Sequence, residues 1–133
     1  MPPVDPIFLT EEAVLAIHAD QFGEFGGAQG LSNPGLLSSA LAQPLTTFDG
    51  KFLHRDLYEM AAAYLFHIIK NHPFIDGNKR TALIAALTFL DLNGVNVESD
   101  APNLYELTIG VAESRIGKND AAEALRRFFP DIV

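Results

Sequence analysis

Within nine residues the chain sets His72, Asp76, Gly77, Asn78, Lys79 and Arg80, in the stretch HPFIDGNKRTA. These residue types suit a phosphate site. A glycine lets the backbone turn tightly and approach a ligand, and an asparagine after it is a good helix N-cap. The first turn of the helix then leaves N–H groups and the positive dipole end to favour an anion, and Lys79 and Arg80 add mobile cations there. A di- or triphosphate fits such a place. Asp76 supplies a carboxylate of the kind that, with substrate phosphates, holds Mg²⁺. His72, four residues earlier, carries an imidazole that titrates near neutrality and can take a proton from an attacking hydroxyl.

Each of these residues alone has a plainer reading. An asparagine cap followed by two cations is usually helix capping, and a histidine at a helix end is usually structural. Their joint occurrence ahead of a mostly apolar helix is what favours a functional reading. Competing motifs fail on spacing. Asn78 separates Gly77 from Lys79 and the position five before Gly77 is His72, so this is not a P-loop. His54-Arg55-Asp56 resembles the kinase triplet, but the chain lacks a Gly-rich loop and the length for that fold. His67 and His72 are five apart and do not share a helix face as zinc ligands would. His18 and His67 read as surface or core-edge residues.

The elements that must position the loop are helical. Thr10 with Glu11 and Glu12 opens a helix through Val14, Leu15, Ile17 and His18, which Gly23, Gly26 and Gly27 end. Asn33-Pro34 starts a short helix through Leu36, Leu37, Ala40 and Leu41, closed by Pro44. Residues 45–53 hold Asp49-Gly50 between Phe48 and Lys51-Phe52, the signal for a small exposed hairpin flap. A long helix runs from Asp56 to about Asn71 on a stripe of Leu57, Ala61, Tyr64, Leu65 and Ile68. The next, about Asn78 to Asn93, is apolar nearly all round and is expected to be the central buried one. Asp100 precedes a helix through Leu104, Leu107, Ile109, Val111 and Ala112, and Asn119-Asp120 opens the last, through Ala124, Leu125 and Phe128. No segment alternates as a strand would, so the expected fold is an all-α bundle with a hairpin flap.

The bulk composition narrows the function. The 133 residues fit a single domain over 1–133, and 48% hydrophobic with 20% charged is a globular composition. A net charge of -8 opposes direct binding to nucleic acid or to anionic membranes. With no cysteine there is no disulfide framework, thiolate nucleophile or Cys-based zinc site. The opening MPPVDPIFLT lacks a signal-peptide pattern and no apolar run reaches ~20 residues, so a cytoplasmic location is expected.

HPFIDGNKRTA resembles the Fic/Doc superfamily motif HxFx(D/E)GN(G/K)R. The likeness continues through IFLTEEAVLAIHADQFGEFGG, GLSNPGLLSSALAQP and LTIGVAESRIGKNDAAEALRRF, which resemble segments of death-on-curing proteins. The resemblance implies His72 as general base, Asp76 as catalytic and metal-binding acid, and Gly77, Asn78, Lys79 and Arg80 as phosphate cradle. It implies a flap at Phe48, Lys51 and Phe52 that docks the target polypeptide, with ATP as co-substrate and Mg²⁺ as cofactor. Fic adenylyltransferases typically have glycine where this chain has Lys79 and a second arginine where it has Leu83. Both departures are similar to the Doc branch, and imply transfer of the γ-phosphate to a Ser or Thr hydroxyl of a protein, with elongation factor Tu as target and a Phd-like antitoxin as partner. AMP transfer and a non-catalytic nucleotide- or partner-binding module are the alternatives. The chain has no Ser or Thr with Glu four residues later, so it lacks the inhibitory [S/T]xxxE[G/N] motif, and restraint must come from another chain.

Overall fold

The computed structural model describes residues 5–25, 30–97 and 103–130. Among these it has six α-helices, α1 (Glu11–Phe25), α2 (Pro34–Ala42), α3 (Leu57–Asn71), α4 (Asn78–Leu92), α5 (Leu104–Ala112) and α6 (Lys118–Phe128), with a 3-10 turn at Gln43–Leu45. A hairpin of β1 (Thr47–Phe48) and β2 (Lys51–Phe52) precedes α3. The fold is all-α with that small antiparallel sheet, the only one among the described residues.

Helix starts follow the capping residues. Thr10 Oγ1 accepts from Ala13 N at 3.1 Å, Asn33 Oδ1 from Gly35 N at 2.8 Å and Asp56 Oδ1 from Glu59 N at 2.9 Å. Each satisfies a first-turn donor that has no partner inside its own helix. In the His54-Arg55-Asp56 triplet, Asp56 is thus a cap, and its second oxygen pairs with Arg126 of α6 while Arg55 pairs with Glu59. Helix ends depart further from expectation. α1 runs past Gly23 to Phe25. A glycine inside a helix costs about 1 kcal/mol against alanine, which neighbouring packing can outweigh. Gly26, Gly27 and Asp100 lie outside the described residues. α6 begins at Lys118 after Gly117, one residue ahead of the Asn119-Asp120 pair, which falls inside its first turn.

The central helix is α3 rather than α4. α3 packs against α2, α4, α5 and α6, and every side chain from Met60 to Leu65 is fully buried. Ala61, Ala62 and Ala63 explain this, because three small side chains in one turn let neighbours approach from several directions. α4 keeps Lys79, Arg80, Asp91 and Leu92 exposed. Around α3 the core closes with aromatics. Tyr64 is fully buried and its hydroxyl accepts from Leu9 N at 2.9 Å, with burial raising its pKa to about 12. Its ring packs on Phe89 of α4 at 5.2 Å, Phe89 on Phe8 at 5.8 Å, and Phe8 on Phe52 of the hairpin at 5.6 Å. Asn93 ties the segment before α1 to the end of α4, accepting from Ile7 N at 2.8 Å and donating to Ile7 O at 2.9 Å. No helix among the described residues is long and apolar enough to cross a membrane.

Two histidines, His54 just before α3 and His67 within it, lie near Lys118 of α6. His54 is 5% exposed and neither of its ring nitrogens has a hydrogen bond of normal geometry. Lys118 Nζ donates to His67 Nε2 at 3.2 Å, which requires His67 to be neutral. Burial, then Lys118 and His54, push the His67 pKa down to about 4, and burial with Lys118 lowers that of His54. Both groups titrate lower in the folded chain than unfolded, so the stability they allow is complete above pH 6.5. As pH falls from 6.5 toward 4, the unfolded chain binds protons that the fold refuses, and stability drops. Urea unfolding is expected to show a lower midpoint at pH 5.5 than at pH 7.5, and His67→Gln should flatten that dependence. An unchanged slope in the variant would rule out His67 as its source.

Candidate active site

The site is the loop of residues 72–77 between α3 and α4, together with the first turn of α4. Pro73 determines how the loop leaves α3. A proline disfavours helical geometry in the residue before it, and His72 turns left-handed instead, at φ 53° and ψ 55°. Its N–H still closes the last helical turn on Ile68 O at 3.1 Å, while its side chain is exposed. Non-glycine residues adopt this conformation uncommonly, and it carries a strain on the order of 1–3 kcal/mol. At the far end Gly77 has φ 83°, a conformation that glycine alone adopts without penalty.

Between these ends the loop is pinned. The Asn78 side chain donates to Phe74 O and accepts from Phe74 N, both at 2.9 Å, so it is not the N-cap the sequence suggested. Gly77 takes the cap position without a side-chain bond, and Asn78, 5% exposed, becomes a clip that closes the loop. Phe74 is fully buried and plugs the core. An isolated antiparallel bridge pairs Leu31 with Phe74. It is flanked by Ser32 N donating to Pro73 O at 2.8 Å and Ile75 N to Gly30 O at 3.1 Å, and Ser32 Oγ also reaches Pro73 O at 3.1 Å. From α1, His18 Nε2 donates to Asp76 O at 2.8 Å, and its ring stacks on Phe74 at 3.8 Å and 8°.

These restraints leave the functional groups outside. A cleft of about 440 Å³ is lined by Asp76, Gly77, Asn78, Lys79 and Arg80, so five of the six sequence-predicted loop residues share one cavity. Asp76, Lys79 and Arg80 are exposed. One Asp76 oxygen accepts from Gly77 N at 2.8 Å, which turns the carboxylate back over the start of α4. His72 is not part of the lining and stands on the α3 side of the loop. The flap residues are apart from the cleft and divided among themselves. Phe48 is 78% exposed and Lys51 exposed, whereas Phe52 is half-buried on Phe8. Their turn is the expected one: Asp49 and Gly50 both have positive φ, as a two-residue type I′ hairpin requires.

The opposite wall of the cleft was not foreseen. It is built by Gln21 of α1, Leu83 of α4 and Tyr105, Thr108 and Ile109 of α5. Gln21 and Thr108 carried no local signal, because their relation to the loop exists only once α1 and α5 pack on α4. Tyr105, 69% exposed, offers an aromatic edge. His18 is 4% exposed and belongs to the site rather than to the surface, and its place one helical turn after Val14 was the available clue.

Comparison with known proteins agrees with this geometry. A family model described as the Fic/DOC family matches residues 8–90, which include the whole loop, all of α3 and α4 as far as Leu90. The protein kinase doc of Escherichia phage P1 is 36% identical over 121 residues, spanning 91% of this chain and 94% of that protein. The toxin Doc of Mycolicibacterium smegmatis is 45% identical over 76 residues, 57% of this chain and 58% of that protein. With its helical architecture, its HPFIDGNKR loop and a match over more than half its length, the chain belongs to the Fic/DOC family.

Proposed function

We propose that the protein is a toxin-type protein phosphotransferase that moves the γ-phosphate of ATP to a Ser or Thr hydroxyl of a target protein. The observation that carries this reading is the cleft in which Asp76, Lys79 and Arg80 meet the exposed N-terminus of α4. Amides and cations that are already oriented stabilise the charge developing on a transferring phosphoryl group without reorganising during the reaction. The 440 Å³ volume and the mixed wall of Gln21, Leu83, Tyr105 and Thr108 suit the remainder of a nucleotide. The relatives named protein kinase doc and toxin Doc support the same direction.

The residues fit Mg²⁺ held by one carboxylate. Among the described residues no group of three or more His, Asp or Glu could bind a metal alone, so Asp76 would hold the ion together with phosphate oxygens. Bound there, it would neutralise charge on the phosphates. Lys79 places a compact cation where a glycine would leave space, and Leu83 makes apolar the wall position where adenylyltransferases of the family carry a second arginine. Both features favour γ-phosphoryl over AMP transfer. His72, outside the cleft and open to solvent, would accept the hydroxyl proton of a substrate arriving over the loop. That approach suits a protein substrate, for which elongation factor Tu is the candidate. A Phd-like antitoxin covering the cleft would supply the restraint that the chain's own sequence lacks.

Incubation with cell lysate and ATP labelled at either the α or the γ position tests the reaction. A protein band labelled from the γ position alone is expected. Labelling from the α position alone would identify an adenylyltransferase, and labelling from neither would favour a non-catalytic module. His72→Ala should lower transfer by a factor on the order of 10²–10⁴ at unchanged thermal stability, since the side chain is exposed. Growth arrest by this variant at wild-type expression would refute the base assignment. Asp76→Ala should weaken Mg²⁺-dependent ATP binding in calorimetry, and equal affinities would remove the metal role.

A further inference from the structure

We propose that His18 is the positioning residue that fixes the orientation of the Asp76 carboxylate. The inference deepens the reading of Asp76 as the carboxylate that holds the Mg²⁺-nucleotide, and rests on it. Asp76 lies on an exposed loop, where a side chain would ordinarily sample several orientations. Its direction depends on the Asp76–Gly77 peptide plane, because rotation of that plane moves the carbonyl and the Gly77 N–H together. Both ends of the plane are held. The carbonyl accepts from His18 Nε2 at 2.8 Å, and the Gly77 N–H donates to the carboxylate itself at 2.8 Å. The carboxylate is therefore aimed by a peptide that a buried imidazole anchors.

The surroundings of His18 make it a rigid anchor. A carbonyl oxygen only accepts, so Nε2 must carry the proton. The ring is 4% exposed and lies flat on Phe74, which the Asn78 amide clips at both its N–H and its carbonyl. Phe74 is thus the floor for the imidazole while Asp76 is its target, and both belong to the same loop. Three residues further along α1, on the same face, Gln21 lines the cleft. α1 accordingly holds the metal-side residue through His18 and forms a wall through Gln21.

The test compares His18→Phe, which keeps a flat ring on Phe74 and lacks the donor, with His18→Gln, which restores an N–H at similar reach. In the ligand-free protein, His18→Phe should speed amide exchange at Gly77 by about tenfold, the loss of one partly buried hydrogen bond, with Ile68 in α3 unchanged. In the transfer assay it should raise the Mg²⁺ concentration for half-maximal rate by a similar factor, with a smaller effect on the saturated rate. His18→Gln should recover most of both. Unaltered Gly77 exchange and Mg²⁺ dependence in His18→Phe would overturn the proposal, as would a His18→Gln protein no better than His18→Phe. Nitrogen-15 spectra of the wild-type ring give a check that needs no variant: a proton on Nε2 is required, and a bare Nε2 overturns the assignment. If the wild type neither binds Mg²⁺-ATP nor transfers phosphate while His18→Phe still loosens Gly77, the phosphotransferase reading falls and the anchoring role of His18 stands.

Discussion

The two hydrogen bonds between the Asn78 amide and the backbone of Phe74 are the constraint on which the site depends. A loop joining two buried helices contains peptide groups that neither helix satisfies, and an unpaired buried group is expensive. One side-chain amide satisfies a donor and an acceptor four residues back, so Phe74 can sink into the core without leaving its peptide groups orphaned. Once Phe74 is buried, the rest of the loop has little freedom. Ile75 and Asp76 must pass over it, Gly77 turns with positive φ, and α4 starts at the cleft, whose lining includes Gly77, Asn78, Lys79 and Arg80. Asn93 performs the same operation at the other end of α4, clipping Ile7. Both ends of α4 are therefore fixed by asparagines whose amides substitute for missing strand partners.

The rigidity extends outward from α3 and α4. Each is 15 residues long, about 22 Å, and they share the Tyr64–Phe89 contact. The segment before α2 adds a miniature strand pairing to the loop through Leu31 and Ser32, and α1 adds His18. Four separate stretches of chain thus converge on six loop residues. The exposed groups Asp76, Lys79 and Arg80 stand on a base that is buried from nearly every side, which is the arrangement a preorganised polar site needs.

Much of this was legible in the sequence where the signal was local. Thr10, Asn33 and Asp56 announced helix starts because capping is a matter of three or four residues. Asp49-Gly50 announced its hairpin because both positions need positive φ, and the loop motif placed Asp76 through Arg80 in one cavity. The missed features are those that depend on tertiary partners. Asn78 looked like a cap because caps and loop clips use the same amide, and only the burial of Phe74 decides between them. The run of apolar residues in α4 suggested the central helix, but alanines 61–63 let α3 be approached from more sides. Gly23 stayed helical, α6 started one residue early, and the α1 and α5 wall of the cleft could not be read from either helix alone.

His72 illustrates how such a site stands against stability. Pro73 keeps the residue before it out of the right-handed helical region, and His72 leaves the helix in the left-handed one, where glycine or asparagine would sit with less strain. On folding energetics alone, position 72 would drift toward those residues and the protein would gain stability. Under the proposed phosphotransferase reading, a histidine there trades stability for the proposed general base, so variants enriched for thermal tolerance would be expected to lose the imidazole early.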